Sequence, residues 1–307
     1  MMKRIFLVIT IISLVFTACK KEKGCTDFAA DNYNSDAEED DGYCIYSGCT
    51  DSTAFNYNVT ANLDDGSCCF QIGCTDSAAY NYNSSACYND GSCRYNLSLS
   101  FSHTVDGNQL ETNQMIYTNK VDQNYSIQTL RYLLSDITLY LANGKSILLD
   151  EVHFITISDP STFNLDIQDL NSANYTAISF TMGLDSLKNI TNLYLNESFF
   201  PSFTWPEFIG GGYHYMQLEG DYTNDIQGYA THTGGTDGLD LSFTKNFPIA
   251  INIENTNTTV IINMDINNWY SNPNTISFTS DGIMGDANKQ ALLKANGIAD
   301  VFSVNIN

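Results

Sequence analysis

Asn96-Leu97-Ser98-Leu99-Ser100-Phe101-Ser102 alternates apolar and polar side chains without a break. A period of two puts one set on each face of an extended chain, so this stretch reads as a half-buried strand. The alternation returns at 136–141, 175–180, 213–218 and 258–266, and Asp300 to Ile306 reads as a closing strand. Turn-forming clusters separate these runs, among them Ala142-Asn143-Gly144 and the stretch from Gly234 to Gly238. Two segments are candidates for helix: Ser126 to Leu134, and Asp286 to Asn296, where Gly297 offers a C-cap. Many short strands with little helix predict an all-β fold, an antiparallel, immunoglobulin-like β-sandwich over residues 96–307.

Composition agrees. The 307 residues carry 35 Asp and Glu against 13 Lys and Arg, a net charge of −22. No basic surface is available to displace phosphate counterions, which excludes nucleic acid as a partner. Charged residues are only 16% of the chain, and the polar remainder is mostly Asn, Ser and Thr. With many aromatics, that bias suits strands and turns, and excludes a coiled coil or a polytopic membrane protein.

The N-terminus reads as an export signal over residues 1–18. Lys3-Arg4 precedes an apolar run from Ile5 to Phe16, interrupted only by Thr10 and Ser13. That run is too short for a membrane span and has the layout of a secretory signal. Thr17-Ala18-Cys19 resembles the bacterial lipobox, with Phe16 where Leu is usual. The resemblance implies that Cys19 is lipidated and anchors the mature chain to a membrane by its acyl chains, ahead of a tether over 19–24. Lys20 after the cysteine, in place of an Asp sorting signal, points to the outer membrane of the cell envelope.

Three copies of one unit fill residues 25–95: CTDFAADNYNSDAEEDDGYC (Cys25 to Cys44), CTDSTAFNYNVTANLDDGSC (Cys49 to Cys68) and CTDSAAYNYNSSACYNDGSC (Cys74 to Cys93). Identical cysteine spacing in an exported chain predicts a disulfide framework. The expected bridges are Cys25–Cys44, Cys49–Cys68 and Cys74–Cys93, with head-to-tail pairing between copies as the alternative. Cys69 and Cys87, which have no counterpart in the other copies, make an economical fourth pair. Units this small bury little core, so bridges must supply much of their stability.

The acids recur as well. Asp27, Asp51 and Asp76 follow the opening cysteines, while Asp40-Asp41, Asp64-Asp65 and Asp90 precede a glycine near the closing ones. Hard oxygens about a glycine turn are the ligands calcium prefers, and the competing reading is an Asx turn that caps the backbone and binds nothing. As a pattern, the repeats resemble GCTD…NYN…DDGSC modules of bacterial surface proteins, which implies a stalk or adhesive spacer.

Beyond Tyr95 an ordered set of motifs carries a second resemblance. Tyr117-Thr118-Asn119 is followed by the run Leu130 to Ile137, then Gly183-Leu184-Asp185-Ser186 with Asn189, Gly212 to Gly220, His232-Thr233-Gly234-Gly235, and Ala299 to Ser303. This order is similar to the methanobactin-associated periplasmic copper protein family, the MbnP-like domains. The resemblance implies a secreted β-sandwich, copper binding and, in some members, an oxidised tryptophan at the site. Imidazole is the usual protein ligand for copper, with sulfur or an aromatic partner suiting Cu(I). His232, before the glycine pair, matches the family histidine; His214 and Trp205 complete the candidate copper set. The chain departs from the family pattern at Phe203-Thr204-Trp205, where relatives show Trp-x-Trp, and at Gly285, which stands for a histidine.

Each histidine also has a plain structural reading. His214 alternates with Tyr213 and Tyr215 and suits a solvent-facing or cross-strand position; His103 and His153 suit strand positions; His232 suits a turn-capping one. No G-x-S-x-G elbow, H-E-x-x-H, P-loop or Rossmann pattern is present, so an enzyme is not expected, and Glu219 with Asp221 reads as an ordinary solvated pair. The function expected is a lipid-anchored envelope protein whose sandwich binds copper on a disulfide-rich stalk. The alternative is a metal-free surface module for a glycan or protein ligand.

Overall fold

The computed structural model describes residues 20–223, 227–253, 258–279 and 283–307. The export signal and Cys19 lie outside the described residues. The chain divides into two compact units, Met1–Gly73 with Ser85–Asp90, and Cys74–Ser84 with Gly91–Asn307, so that the third repeat is shared between them.

All four expected bridges form: Cys25–Cys44, Cys49–Cys68, Cys69–Cys87 and Cys74–Cys93. The rest of the repeat motif is explained by backbone capping. The first Asn of each NYN clamps the chain at the closing cysteine with its whole amide. Asn32 accepts from Ile45 N and donates to Tyr43 O, while Asn56 and Asn81 do the same at Cys69 and Arg94. The acids make Asx turns. Asp27, Asp51 and Asp76 accept from the backbone N–H two residues on, as do Asp40, Asp41, Asp64 and Asp65.

In the second unit, ten main strands form two sheets. They are β1 (Arg94–Val105), β2 (Thr129–Leu141), β3 (Ser146–Thr156), β4 (Asn164–Asn171), β5 (Ala173–Met182), β6 (His214–Tyr222), β7 (Gln227–Gly234), β8 (Phe243–Ile253), β9 (Thr258–Asp265) and β10 (Phe302–Ile306). One sheet runs β8-β5-β2-β6, with β3 paired to β2 and β7 to β6; the other runs β4-β1-β9-β10. Pairing is antiparallel except between β1 and β9, which run parallel. The alternation that opens the sequence is realised: Leu97, Leu99 and Phe101 are buried, and the serines between them are not. They meet Leu130, Tyr132, Ile178 and Phe180 of the facing sheet in one core. Each such side chain contributes about 1.5–3 kcal/mol of burial. The fold is an all-β sandwich.

The segment from Ser126 to Leu134 is not a helix: β2 occupies its larger part. β2 is the central strand, with β3 along one edge and the other edge divided between β6 (Thr129–Tyr132) and β5 (Leu134–Leu141). Its middle is covered on both faces. Leu134 enters the main core, while Leu133 enters a second, aromatic cluster with Phe199, Phe203, Tyr213 and Tyr215. Helix α1 (Ala287–Asn296) does form, with the Asp286 carboxylate accepting from Asn288 N and Lys289 N at its start. Gly297 takes the expected C-cap position, its N–H donating to Leu293 O and Lys294 O, but not in a left-handed conformation. It has φ −58°, and the chain continues through it into a further helical turn.

Candidate metal centre

Where β5 and β6 part on the edge of β2, the long segment 183–213 fills the opening. Gly183 N donates to Leu133 O at its start. Near its end Phe203–Trp205 lies antiparallel to Gly212–His214, with Trp205 N donating to Gly212 O and His214 N to Phe203 O. Trp205 is thereby delivered to the first residue of β6.

A bulge then decides which way His214 points. His214 pairs with Gly234 but Met216 with Thr233, so Tyr215 is an extra residue on β6. The insertion resets the alternation. His214 joins the face of Gln217 and Glu219, while Met216 and Leu218 stay in the core. Across the hairpin, His232 lies opposite Gln217, and Arg131 of β2 lies on the other side of that glutamine. Contrary to a solvent-facing position, His214 is only 5% exposed.

The rings of His214 and His232 meet edge to face with centroids 5.0 Å apart. The Trp205 indole stands on the other ring contact of His214 at 4.7 Å, also edge to face, and Phe203 closes the pocket at 5.4 Å. Nδ1 of His214 and Nε1 of Trp205 are buried without a hydrogen-bond partner. Burial pushes the His214 pKa down to about 3, with the neighbouring His232 and Arg131 adding to the effect. His214 is therefore a neutral imidazole with an orphaned nitrogen in a dry, aromatic pocket. His232 is held from outside: its Nε2 lies 2.7 Å from Glu219 Oε1.

The other histidines are placed elsewhere. His103 is buried in the core against Tyr132, and His153 lies between Asp150 and the Thr162 carbonyl. The eight cysteines of the described residues are all bridged. The acids of the repeats are not gathered: among the described residues no group of three or more His, Cys, Asp or Glu side chains is placed to hold a metal ion. Several are instead committed to capping, and Asp27 and Asp76 also accept from the Tyr46 and Tyr95 hydroxyls. Two imidazoles beside an indole are a donor type suited to copper. Glu219, which the sequence presents as half of a solvated pair, and Phe203 and Arg131, to which it gives no role, are neighbours of this site. A carboxylate two residues from the next acid on a strand carries no signal until the cross-strand register is known.

The fold and the site together define a class: an all-β sandwich with two histidines paired beside a buried tryptophan. The family model described as MbnP matches residues 94–289, and the chain belongs to the MbnP family. Among solved structures it is similar to MbnP from Methylosinus trichosporium, at 11% identity and a TM-score of 0.49, covering 69% of this chain and 99% of that one. No curated protein matches the chain. Among the described residues no helix is long and apolar enough to cross a membrane.

Proposed function

We propose that this protein is an exported, lipid-anchored protein of the outer membrane whose MbnP domain binds copper through His214 and His232, beside Trp205. The observation that carries the reading is the buried, partnerless Nδ1 of His214, on a ring that meets those of both Trp205 and His232. A metal ligand histidine must be neutral, and burial keeps His214 so. A polar atom left dry and unpaired costs about 1–3 kcal/mol, a penalty that a bound ion would remove.

Copper supplies a soft cation that imidazole nitrogens can hold. Phe203 and Trp205 keep water from that pocket, and Glu219 fixes His232 from the solvent side. The protein is a binder in this reading, not an enzyme. Lipidation of Cys19 supplies the membrane attachment, and the bridged repeats serve as its acidic spacer.

The test is metal content of the mature chain after equilibration with copper and with zinc, for wild type, His214→Ala and His232→Ala. About one copper per chain in wild type, lost in both variants, is expected. Copper absent from wild type, or retained by both variants, overturns the proposal. Export and lipidation are tested by expressing the full chain in a bacterial host and following membrane partition. Cys19→Ser should release the protein from the membrane.

A further inference from the structure

The Glu219–His232 contact is chemically one-sided. A glutamate carboxylate, whose ordinary pKa of about 4.3 leaves it ionised at neutral pH, only accepts. The proton in the 2.7 Å contact therefore sits on His232 Nε2. In a neutral imidazole this leaves Nδ1 as the nitrogen with the free lone pair. Glu219 is itself fixed by its place in the sheet. It pairs with Thr129 of β2 and Ala230 of β7.

Resting on the copper reading above, we infer that Glu219 is a positioning residue: its carboxylate locks His232 in the Nε2–H tautomer and presents Nδ1 as the nitrogen that binds metal. The inference explains why an acid sits on this face. Glu219 is half-exposed, so the core does not require it, yet its carboxylate lies 2.7 Å from the histidine beside His214. It also explains why the two imidazoles differ in their surroundings. His214 is oriented by aromatic packing in a dry pocket and needs no proton acceptor. His232 is more open, side-chain exposure 17%, and would turn freely about its ring axis without the carboxylate. Carboxylates behind metal-bound histidines act in this way, and their loss typically costs about 10–100-fold in metal affinity.

Two readouts test this on the mature chain. The first needs no metal: ring-nitrogen chemical shifts of His232 by NMR in metal-free wild type, Glu219→Gln and Glu219→Ala. Wild type should show one Nε2–H tautomer, Glu219→Gln should keep it through the amide oxygen, and Glu219→Ala should give a mixture. The second is affinity for Cu(I), read by competition with a chromogenic chelator. Glu219→Ala should bind about 10–100-fold more weakly than wild type, with Glu219→Gln between the two. An unchanged tautomer and unchanged affinity in Glu219→Ala overturn the inference while leaving the copper site standing. Wild type that takes up no Cu(I) overturns the copper reading and, with it, the ligand role given to Nδ1. The tautomer data then still report whether Glu219 orients the ring. Because Glu219 is half-exposed, both variants are expected to melt within a few degrees of wild type.

Discussion

Cys87 occupies in the third repeat the position that Asn62 holds in the second, 13 residues after the opening cysteine. Both donate their backbone N–H to the residue three before that cysteine, Asn62 to Tyr46 O and Cys87 to Gln71 O. Asn62 then reaches across Ile45, accepting from Tyr46 N and donating to Cys44 O. At the place of Ile45 the next junction has Cys69, bonded covalently to Cys87. The extra bridge thus replaces an amide clamp at one repeat junction. By loop closure it contributes about 3 kcal/mol, against about 2 kcal/mol for the clamp's two hydrogen bonds. Replacing the pair by Ile and Asn, the residues of the other junction, should therefore lower stability by about 1 kcal/mol. Replacing both by Ala should lower it further. Urea unfolding of the two double variants, with mass spectrometry to verify the three remaining bridges, checks the order.

Gly234 sets where the Trp205 indole can lie. A Cβ at this position would come within 2.7 Å of indole carbons Cδ2 and Cε3. Gly234→Ala should push the indole off His214, costing about 1–3 kcal/mol as overpacking does. Copper affinity should fall with it. The control is Gly228→Ala on the same strand, whose Cβ would meet nothing nearer than a carbonyl oxygen at 3.9 Å. With only two tryptophans in the chain, a change in Trp205 emission in the first variant and none in the second is readable directly.

Gly297 is the C-cap residue of α1 in a right-handed conformation, so it is packing that requires a glycine there, not the sign of φ. Its added Cβ would lie 2.3 Å from Phe243 Cζ and 2.8 Å from Trp269 Cζ3. Gly297→Ala should cost about 1–3 kcal/mol or unfold the C-terminal turn. Gly285→Ala, which would meet no atom within 4 Å, should be neutral or slightly stabilising. Thermal melts of the two variants separate these outcomes.

The strands were legible because one face of each is buried and the other is not, as in β1. Legibility failed where that condition fails. β2 buries both faces at Leu133 and Leu134, so its apolar residues no longer alternate, and Ile127, Leu130 and Leu134 take on helical spacing by accident. The candidate site was half legible for the same reason. His232 stands before a glycine pair that marks it, and Trp205 stands in a recognisable aromatic motif. His214 hides behind strand alternation, because the single residue that turns it into the pocket, the bulge at Tyr215, depends on pairing with Thr233 and Gly234. Glu219 is visible only through the same register.

His103 gives the sandwich a built-in acid sensitivity that is independent of the copper site. It is 2% exposed, with Nε2 lying 3.1 Å from the Tyr132 hydroxyl. Burial pushes its pKa from 6.5 down to about 4. The unfolded chain takes up this proton near pH 6.5 and the folded one only near pH 4, so protons favour the unfolded state throughout that window. Stability is undiminished above pH 6.5 and falls as the pH drops from 6.5 to 4, by up to about 3 kcal/mol from this one group. His103→Gln keeps a polar partner for Tyr132 and removes the titration. Urea midpoints measured at pH 7, 6, 5 and 4 in both proteins share every carboxylate contribution, so their difference isolates the ring. The variant should lose less stability than wild type on acidification. Parallel curves would mean that the core accepts an imidazolium against Tyr132 and Phe163 at no cost.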